Sequence, residues 1–454
     1  MSIILTADEM RAAEAGVIAG GTPVETLMER AGLAAAEAAW RFAGPLPTLV
    51  LCGPGNNGGD GYVIARELQA RGMSVRVAAL AEPRSPAARR AAAGWQGPVE
   101  PLLQAAPAPM LIDALFGTGL ARPLDEGAAG ALMRLAGAAA TCVAVDLPSG
   151  VSTDDGRILS PVPDYGLTVA FATLKPAHLL QPAARHMGRI AVADIGIEAK
   201  SRLHALGKPR IAPPGADDHK YSRGYVAVVA GEMPGASALA AGAALRGGAG
   251  YVRLIAPHPL AGAPQAVVQS ADLSALADPR IGAVAIGPGL GRSERGAELL
   301  NAALASGRPL VLDADALVLL DLYALQGAEQ VPVLTPHAGE FARLFGSLKG
   351  SKPDQARQAA AKSGAVVVYK GSDTVIAAPD GRAAIARPAP PWLASAGTGD
   401  VLTGIIAAAR SKGLDAFEAA CAGVWMHARA AELAGPGLVA DDLLAHLPAV
   451  IALC

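Results

Sequence analysis

Short apolar runs that end near glycine alternate with stretches of helical spacing along almost the whole chain, and this alternation constrains the fold most. One series of runs lies at 46–52, 74–80, 109–115, 141–147, 165–171 and 189–195. A second lies at 225–230, 251–256, 284–287, 310–313, 331–335 and 366–370. Strands that alternate with helices in this way imply a parallel sheet covered on both faces. Residues 6–41 have helical spacing ahead of the first series and break at Gly20-Gly21-Thr22-Pro23. Between the series, Lys208-Pro209-Arg210-Ile211-Ala212-Pro213-Pro214-Gly215 carries three prolines and reads as an extended linker. The expectation is an α/β chain with one domain over 1–210 and a second over 215–454.

A length of 454 residues allows two or three domains. Apolar residues make up 52% but aromatics only 4%. Cores built on Ala and Gly favour close packing of helices on sheets over an aromatic-rich sandwich. The net charge of −2 excludes a strongly basic nucleic-acid surface, so anion binding must come from local backbone geometry. The start MSIILTADEM lacks the basic and apolar regions of a signal peptide. No uninterrupted apolar run reaches the roughly 18 residues of a membrane span. The cysteines Cys52, Cys142, Cys421 and Cys454 form no CxxC pair. They read as core thiols in a reducing compartment, and the expected location is the cytoplasm.

The first glycine loop is Gly53-Pro54-Gly55-Asn56-Asn57-Gly58-Gly59-Asp60-Gly61, between a strand and a helix. Alone it matches a dinucleotide-binding turn, with Glu82 after the next strand as a ribose acid. The paired asparagines instead offer amide oxygens for a hard cation. Asp60 at the helix start would cap it and compete with a pyrophosphate for the same amides. Asp113 precedes the flexible Gly117-Thr118-Gly119 loop, and Asp146 and Ser149 stand in Val145-Asp146-Leu147-Pro148-Ser149-Gly150. Ligands of open α/β sheets bind at such carboxyl ends, so Asn57, Asp113, Asp146 and Ser149 are expected to converge. Donors that are all oxygen point to a hard cation rather than zinc.

Together NNGGDG, DALFGTG and VDLPSG resemble the NAD(P)H-hydrate epimerase domain. The resemblance covers 1–210 and implies a Rossmann-like fold. It implies that Asn56, Asn57, Gly58, Gly59 and Asp60 bind the hydrated nucleotide. A second stretch, Gly117, Thr118, Gly119, Leu120, Ala121, Arg122 and Pro123, would join them, with Asp146. It also implies a potassium ion at Asn57, Asp113 and Ser149. Asp146 is the candidate proton-handling carboxylate, because a ring-epimerising enzyme needs a base near the reacting carbon.

The second glycine loop is Ser395-Ala396-Gly397-Thr398-Gly399-Asp400, ahead of an apolar helix. Small residues let backbone N–H groups approach a phosphate at a helix start. Asp400 then stands beside a hydroxyl held next to that phosphate. The alternative for Asp400 is a simple capping residue. Four further motifs end strands: Gly287-Pro288-Gly289-Leu290-Gly291, Leu312-Asp313-Ala314-Asp315-Ala316, Thr335-Pro336-His337-Ala338-Gly339-Glu340 and Lys370-Gly371-Ser372-Asp373-Thr374. His337, in that series, reads as functional, and His427 as a core histidine.

In this order the five motifs resemble the ADP-dependent NAD(P)H-hydrate dehydratase, whose fold is similar to ribokinase. The resemblance covers 215–454. It implies ADP contacts at Lys370, Gly371, Ser372, Asp373, Thr374 and Gly399. Ala236, Gly289, His337 and Asp400 would contact the hydrate. ADP would be the phosphate donor, with Mg2+, and Asp400 would accept the proton of the ring hydroxyl. One departure stands in Ala230-Gly231-Glu232-Met233-Pro234-Gly235-Ala236, where Glu232 replaces a small polar residue.

The two resemblances together imply a bifunctional repair enzyme acting on NADHX and NADPHX. Its partners would be these small molecules and ADP, with no nucleic acid and no membrane. Such folds commonly form homo-oligomers. The alternatives are a small-molecule kinase of ribokinase fold with an N-terminal nucleotide-binding domain, and a non-catalytic nucleotide-binding protein.

Overall fold

The strands Thr48–Cys52, Met110–Ala114 and Leu167–Phe171 are buried at every position. This is the signature of parallel strands with both faces covered. The computed structural model describes residues 2–454 and separates them into the units Ser2–Ala205 and Leu206–Cys454.

In the first unit a 7-stranded sheet, parallel throughout, runs in the order Val99–Pro101, Val75–Ala79, Thr48–Cys52, Met110–Ala114, Thr141–Val145, Leu167–Phe171 and Arg189–Ala193. Successive side chains face opposite ways. Val50, Ile112 and Val143 therefore pack with Met28, Ala31 and Ala35 of the helix Val24–Ala43. Their neighbours Leu49, Leu51 and Leu111 pack with Leu132 and Leu135 of Glu126–Gly137 on the other face. The break at 20–23 separates Ala7–Ala19 from Val24–Ala43, and Thr6 closes a capping box with Glu9 at the start of the first. The sheet grows from Thr48–Cys52 in one direction and then resumes on its other side with Met110–Ala114. The crevice at that reversal is where ligands of such sheets bind.

The second unit orders its strands Ala383–Ile385, Val375–Ala377, Val366–Tyr369, Val333–Leu334, Leu310–Leu312, Ala283–Ile286, Tyr225–Val229, Tyr251–Ile255 and Val268–Ser270. Pairing is parallel except at Val375–Ala377, which is antiparallel to both neighbours. The reversal lies between Tyr225–Val229 and Ala283–Ile286. The helix Pro234–Arg246 buries a face of mostly alanine and glycine, and Thr398–Ser411 buries Val401, Leu402, Ile405 and Ile406 with three alanines. Residues 206–224 contain no helix or strand, in keeping with their prolines.

Sequence spacing misses Val99–Pro101, Val268–Ser270, Val375–Ala377 and Ala383–Ile385. Each has 3 residues, too few to show a period. All four cysteines are free thiols, and Cys52, Cys142 and Cys421 are buried. Among the described residues no helix is long and apolar enough to cross a membrane.

Candidate functional site

The strand Thr48–Cys52 turns at Gly53–Gly55 into the helix Asn56–Ala70. Gly58 has to be glycine: a Cβ there would lie 1.8 Å from the Gly53 carbonyl oxygen. The helix therefore starts earlier than its spacing suggests, with Gly55 as N-cap. Asp60 does not cap it. It lies a turn further in, 8% exposed, with no side-chain hydrogen bond among the described residues. Burial pushes its carboxyl well above the usual range, and the nearby Asp146 and Glu14 add to this. Asn56 accepts a hydrogen bond from Ser85 Oγ at 2.6 Å.

Asp146 follows Thr141–Val145 with φ at 63°, a left-handed conformation that non-glycine residues seldom adopt outside constrained sites. Its Oδ1 accepts from Lys175 Nζ at 2.6 Å. Its Oδ2 accepts from the Thr118 N–H at 3.2 Å and from the Thr118 hydroxyl. Burial alone would raise this carboxyl, but Lys175 and Thr118 outweigh burial and hold it below the ordinary aspartate range. Lys175 also donates to the Phe171 carbonyl at 2.8 Å. The Lys175 N–H donates to His178 Nδ1, which leaves Nε2–H to donate to the Asp146 carbonyl at 2.8 Å. His178 is fully buried and pushed down to about 4 by burial and by Lys175, so it is neutral.

These groups line a cavity of about 560 Å3. Asn56, Asn57, Asp60, Gly117, Thr118, Gly119, Leu120, Asp146 and Lys175 form one side of it. Gly58 and Gly59 lie buried beneath, and Ala121, Arg122 and Pro123 are exposed beyond its wall. The first two helices supply an apolar side through Met10, Leu27 and Met28, with Glu14 among them. Burial, and then Asp146, raise Glu14 above its ordinary value. The motifs gave no sign of Glu14, which stands in an ordinary helix. Nor did they single out Lys175.

Asp113 and Ser149 meet directly. Asp113 Oδ1 accepts from Ser149 Oγ at 2.7 Å and from Leu115 N–H at 3.1 Å. Its Oδ2 accepts from Ser149 N–H at 3.0 Å and from Tyr165 OH at 2.5 Å. Ser149 Oγ in turn accepts from the Phe116 N–H at 2.9 Å. Asn57 lies by Gly117 and Asp146: a Cβ on Gly117 would meet Asn57 Oδ1 at 2.9 Å and Asp146 Oδ2 at 3.1 Å. Among the described residues no group of His, Cys, Asp and Glu could hold a metal ion. The Asn57, Asp113 and Ser149 set nevertheless suits a hard monovalent cation. Asp113 is a fully buried acid whose four hydrogen-bond donors are all neutral, and burial raises its carboxyl despite them. The Asn57 Nδ2 end is buried without a partner, and rotation of the amide exchanges it for oxygen.

In the second unit Gly397, left-handed at φ 85°, starts the helix Thr398–Ser411, and Asp400 stands in its first turn without capping it. Burial and then Asp313 raise Asp400 to about 6, while Lys370 opposes them. Lys370 Nζ donates to Asp313 Oδ1 at 2.7 Å, and Thr403 Oγ1 donates to Oδ2 at 2.8 Å. Burial would lower the lysine, but Asp313 outweighs it and raises Lys370 above its usual range. Gly399 lies over this pair: a Cβ there would be 3.6 Å from Lys370 Nζ and 3.7 Å from Asp313 Oδ2. Asp313, named in its motif only as a strand-end acid, is thus part of the cluster.

The remaining candidates sit on neighbouring loops. Gly289 at φ 63° touches Ala236: a Cβ on it would be 3.1 Å from the Ala236 Cβ. Glu232 accepts from Ser293 Oγ at 2.6 Å, and its carboxyl lies against Gly291. His337 is the N-cap of Ala338–Phe345, and Gly339 N–H donates to its Nδ1 at 3.0 Å while its side chain stays 61% exposed. Gly371 and Thr374 close a small turn, with Thr374 Oγ1 donating to the Gly371 carbonyl at 2.8 Å. Asp373 pairs with Lys352 at 2.6 Å, and Ser372 is exposed. His427 is partly buried and pushed down to about 4, with Nε2 shielded from solvent and unpartnered.

Two α/β units, each with acid-bearing glycine loops at the carboxyl edge of its sheet, define an enzyme with two sites. Comparison with known proteins gives the same division. The family profile of the YjeF-related protein N-terminus matches residues 24–177, and that of NAD(P)H-hydrate dehydratase matches 226–448. The bifunctional NAD(P)H-hydrate repair enzyme Nnr of Pyrobaculum aerophilum is 36% identical, over 98% of this chain and 98% of that protein. The Nnr enzymes of Gloeobacter violaceus and Thermofilum pendens are 37% and 34% identical, each over 94% of this chain. They are covered to 93% and 92% of their own lengths. The chain belongs to the bifunctional NAD(P)H-hydrate repair enzymes. The resemblance read from its motifs, and the α/β fold class, hold across the chain, and the kinase alternative falls.

Among solved structures, a ribokinase-like superfamily protein from Enterococcus faecalis has a TM-score of 0.50 at 22% identity, covering 56% of this chain and 97% of that one. The likeness is one of fold. An ADP/ATP-dependent NAD(P)H-hydrate dehydratase from Bacillus subtilis, co-crystallised with ATP and Mg2+, is 30% identical over 53% of this chain and 93% of its own, with a TM-score of 0.46.

Proposed function

We propose that residues 1–210 interconvert the R and S forms of NAD(P)H hydrate. Residues 215–454 then dehydrate the S form to NAD(P)H, with ADP giving AMP and phosphate. One arrangement, made once in each unit, carries this reading. A carboxylate stands at a glycine loop open to a ligand, with a lysine nearby that favours its charged form: Lys175 binds Asp146, and Lys370 opposes the rise that burial and Asp313 cause at Asp400.

In the first site Lys175 and Thr118 favour the charged form of Asp146, which can accept a proton, and burial favours the protonated form of Asp60, which can give one. Two acids whose environments push them apart are the requirement for proton transfer in both senses. Asn56, Asn57 and the 117–123 loop hold the nucleotide against them, and Met10, Leu27 and Met28 exclude water from one side. Asn57, Asp113 and Ser149 would hold potassium, which supplies positive charge beside the buried acid when bound.

In the second site a value of about 6 leaves Asp400 mostly deprotonated at neutral pH yet still basic, the range suited to a general base. It takes the proton of the ring hydroxyl. Lys370 and the 371–374 turn face the nucleotide phosphates, and the backbone at Gly399 approaches them closely. Phosphoryl transfer consists largely of such positioning and charge stabilisation. Ala236, Gly289 and His337 hold the hydrate. Mg2+ accompanies the nucleotide as its counter-ion. The enzyme works in the cytoplasm as a homo-oligomer.

The test is an absorbance assay on mixed R and S hydrate with ADP. Complete recovery of NAD(P)H is expected. Recovery of the S portion alone refutes the epimerase half, and no ADP-dependent recovery refutes the dehydratase half. Replacing potassium with a bulky organic cation should slow only the conversion of the R form.

A further inference from the structure

Asp313 ends the strand Leu310–Leu312 and is 1% exposed, so it cannot itself reach a bound nucleotide. Both of its carboxylate oxygens are committed. One holds Lys370 at the end of Val366–Tyr369, and the other holds Thr403, three residues beyond Asp400 on Thr398–Ser411. Three elements thus meet on one carboxylate. The backbone is fitted to this position as well. Gly287 has φ 122°, and a Cβ there would come within 1.8 Å of the Asp313 carbonyl oxygen, so the first glycine of the GPGLG turn makes room for Asp313. The pair lies directly beneath Gly399.

Lysine is a flexible point charge, and a buried ammonium seeks the nearest anion. Three acids act on Lys370, namely Asp313, Glu340 and Asp400. Were the lysine to swing to Asp400, it would neutralise the base and leave the phosphate side of the loop. We infer that Asp313 is a positioning residue of the dehydratase site, tethering Lys370 and the Thr403 turn so that the ammonium serves the nucleotide phosphate and Asp400 stays free for the ring hydroxyl. The inference rests on the dehydratase reading given above. Its electrostatic consequence is visible: Asp313 is the second cause, after burial, of the raised Asp400 carboxyl.

The experiment compares the full-length chain with its Asp313→Asn, Lys370→Met and doubly substituted forms, using S hydrate and ADP. Asp313→Asn should move the acid limb of the kcat/KM profile down by about one pH unit, because it removes a negative neighbour and releases Lys370 toward Asp400. The KM for ADP should rise about tenfold as the ammonium loses its aim. Asp313→Glu should recover part of both effects. The single Asn variant leaves a buried ammonium unpaired and can fail to fold, whereas the double variant removes both charges. If Asp313 acts through Lys370, adding Asp313→Asn to Lys370→Met changes the KM for ADP no further. Independent, multiplying losses in the double variant overturn the inference. So does a folded Asp313→Asn enzyme with an unmoved acid limb. A wild-type chain lacking ADP-dependent recovery overturns instead the reading beneath it, and the inference falls with that reading.

Discussion

Asp146 has its oxygens held by Lys175 and Thr118 in a left-handed backbone position, and each constraint has a measurable cost if removed. Asp146→Asn keeps the shape and loses the charge. Epimerase turnover should fall by about 10^2 to 10^4, the usual worth of a positioned acid or base, with S-hydrate dehydration unchanged. Lys175→Met leaves the same carboxylate buried and unpaired. It should destabilise the first unit by about 3–5 kcal/mol in urea unfolding. At Asp400 the value of about 6 sets a pH dependence. The base must be deprotonated, so dehydratase kcat/KM should be flat above neutral pH and fall as the pH drops through about 6. A profile flat down to the ordinary aspartate range would remove Asp400 from that role.

The elements were largely legible because parallel strands buried on both faces must be apolar throughout, and glycine must stand where backbones meet. Leu49-Val50-Leu51 shows the first, and Gly58 the second. What the alternation could not show was short or contributed from afar. The hairpin Val375–Ala377 and Ala383–Ile385 is too brief for a period, and Glu14 reaches the cavity from a helix with no motif. The start of Asn56–Ala70 was misplaced because glycines at 58 and 59 argue against a helix by propensity, while close approach to Gly53 demands the first and close packing on Met28 the second. A Gly58→Ala change tests that balance. Its Cβ meets backbone rather than a flexible side chain, so it should cost about 1–3 kcal/mol by denaturant unfolding and abolish epimerisation.

Over the whole molecule, each unit encloses one histidine that burial pushes down to about 4, the fully buried His178 in the first and the partly buried His427 in the second. An unfolded chain takes up protons on histidine near pH 6.5, which the folded chain resists. These sites therefore favour the folded state fully above about 6.5, and the advantage drains away as the pH falls toward about 4. Both units should lose stability over the same window, read as falling melting temperature; substituting Gln at either position should flatten the loss in that unit alone. The buried cysteines have a different consequence. Burial pushes the thiols of Cys52 and Cys421 far up, and that of Cys142 to about 11. Peroxide and electrophiles attack thiolates, and none of these three offers one. Under oxidative stress the enzyme would thus keep two active sites that hold no cysteine thiol to lose.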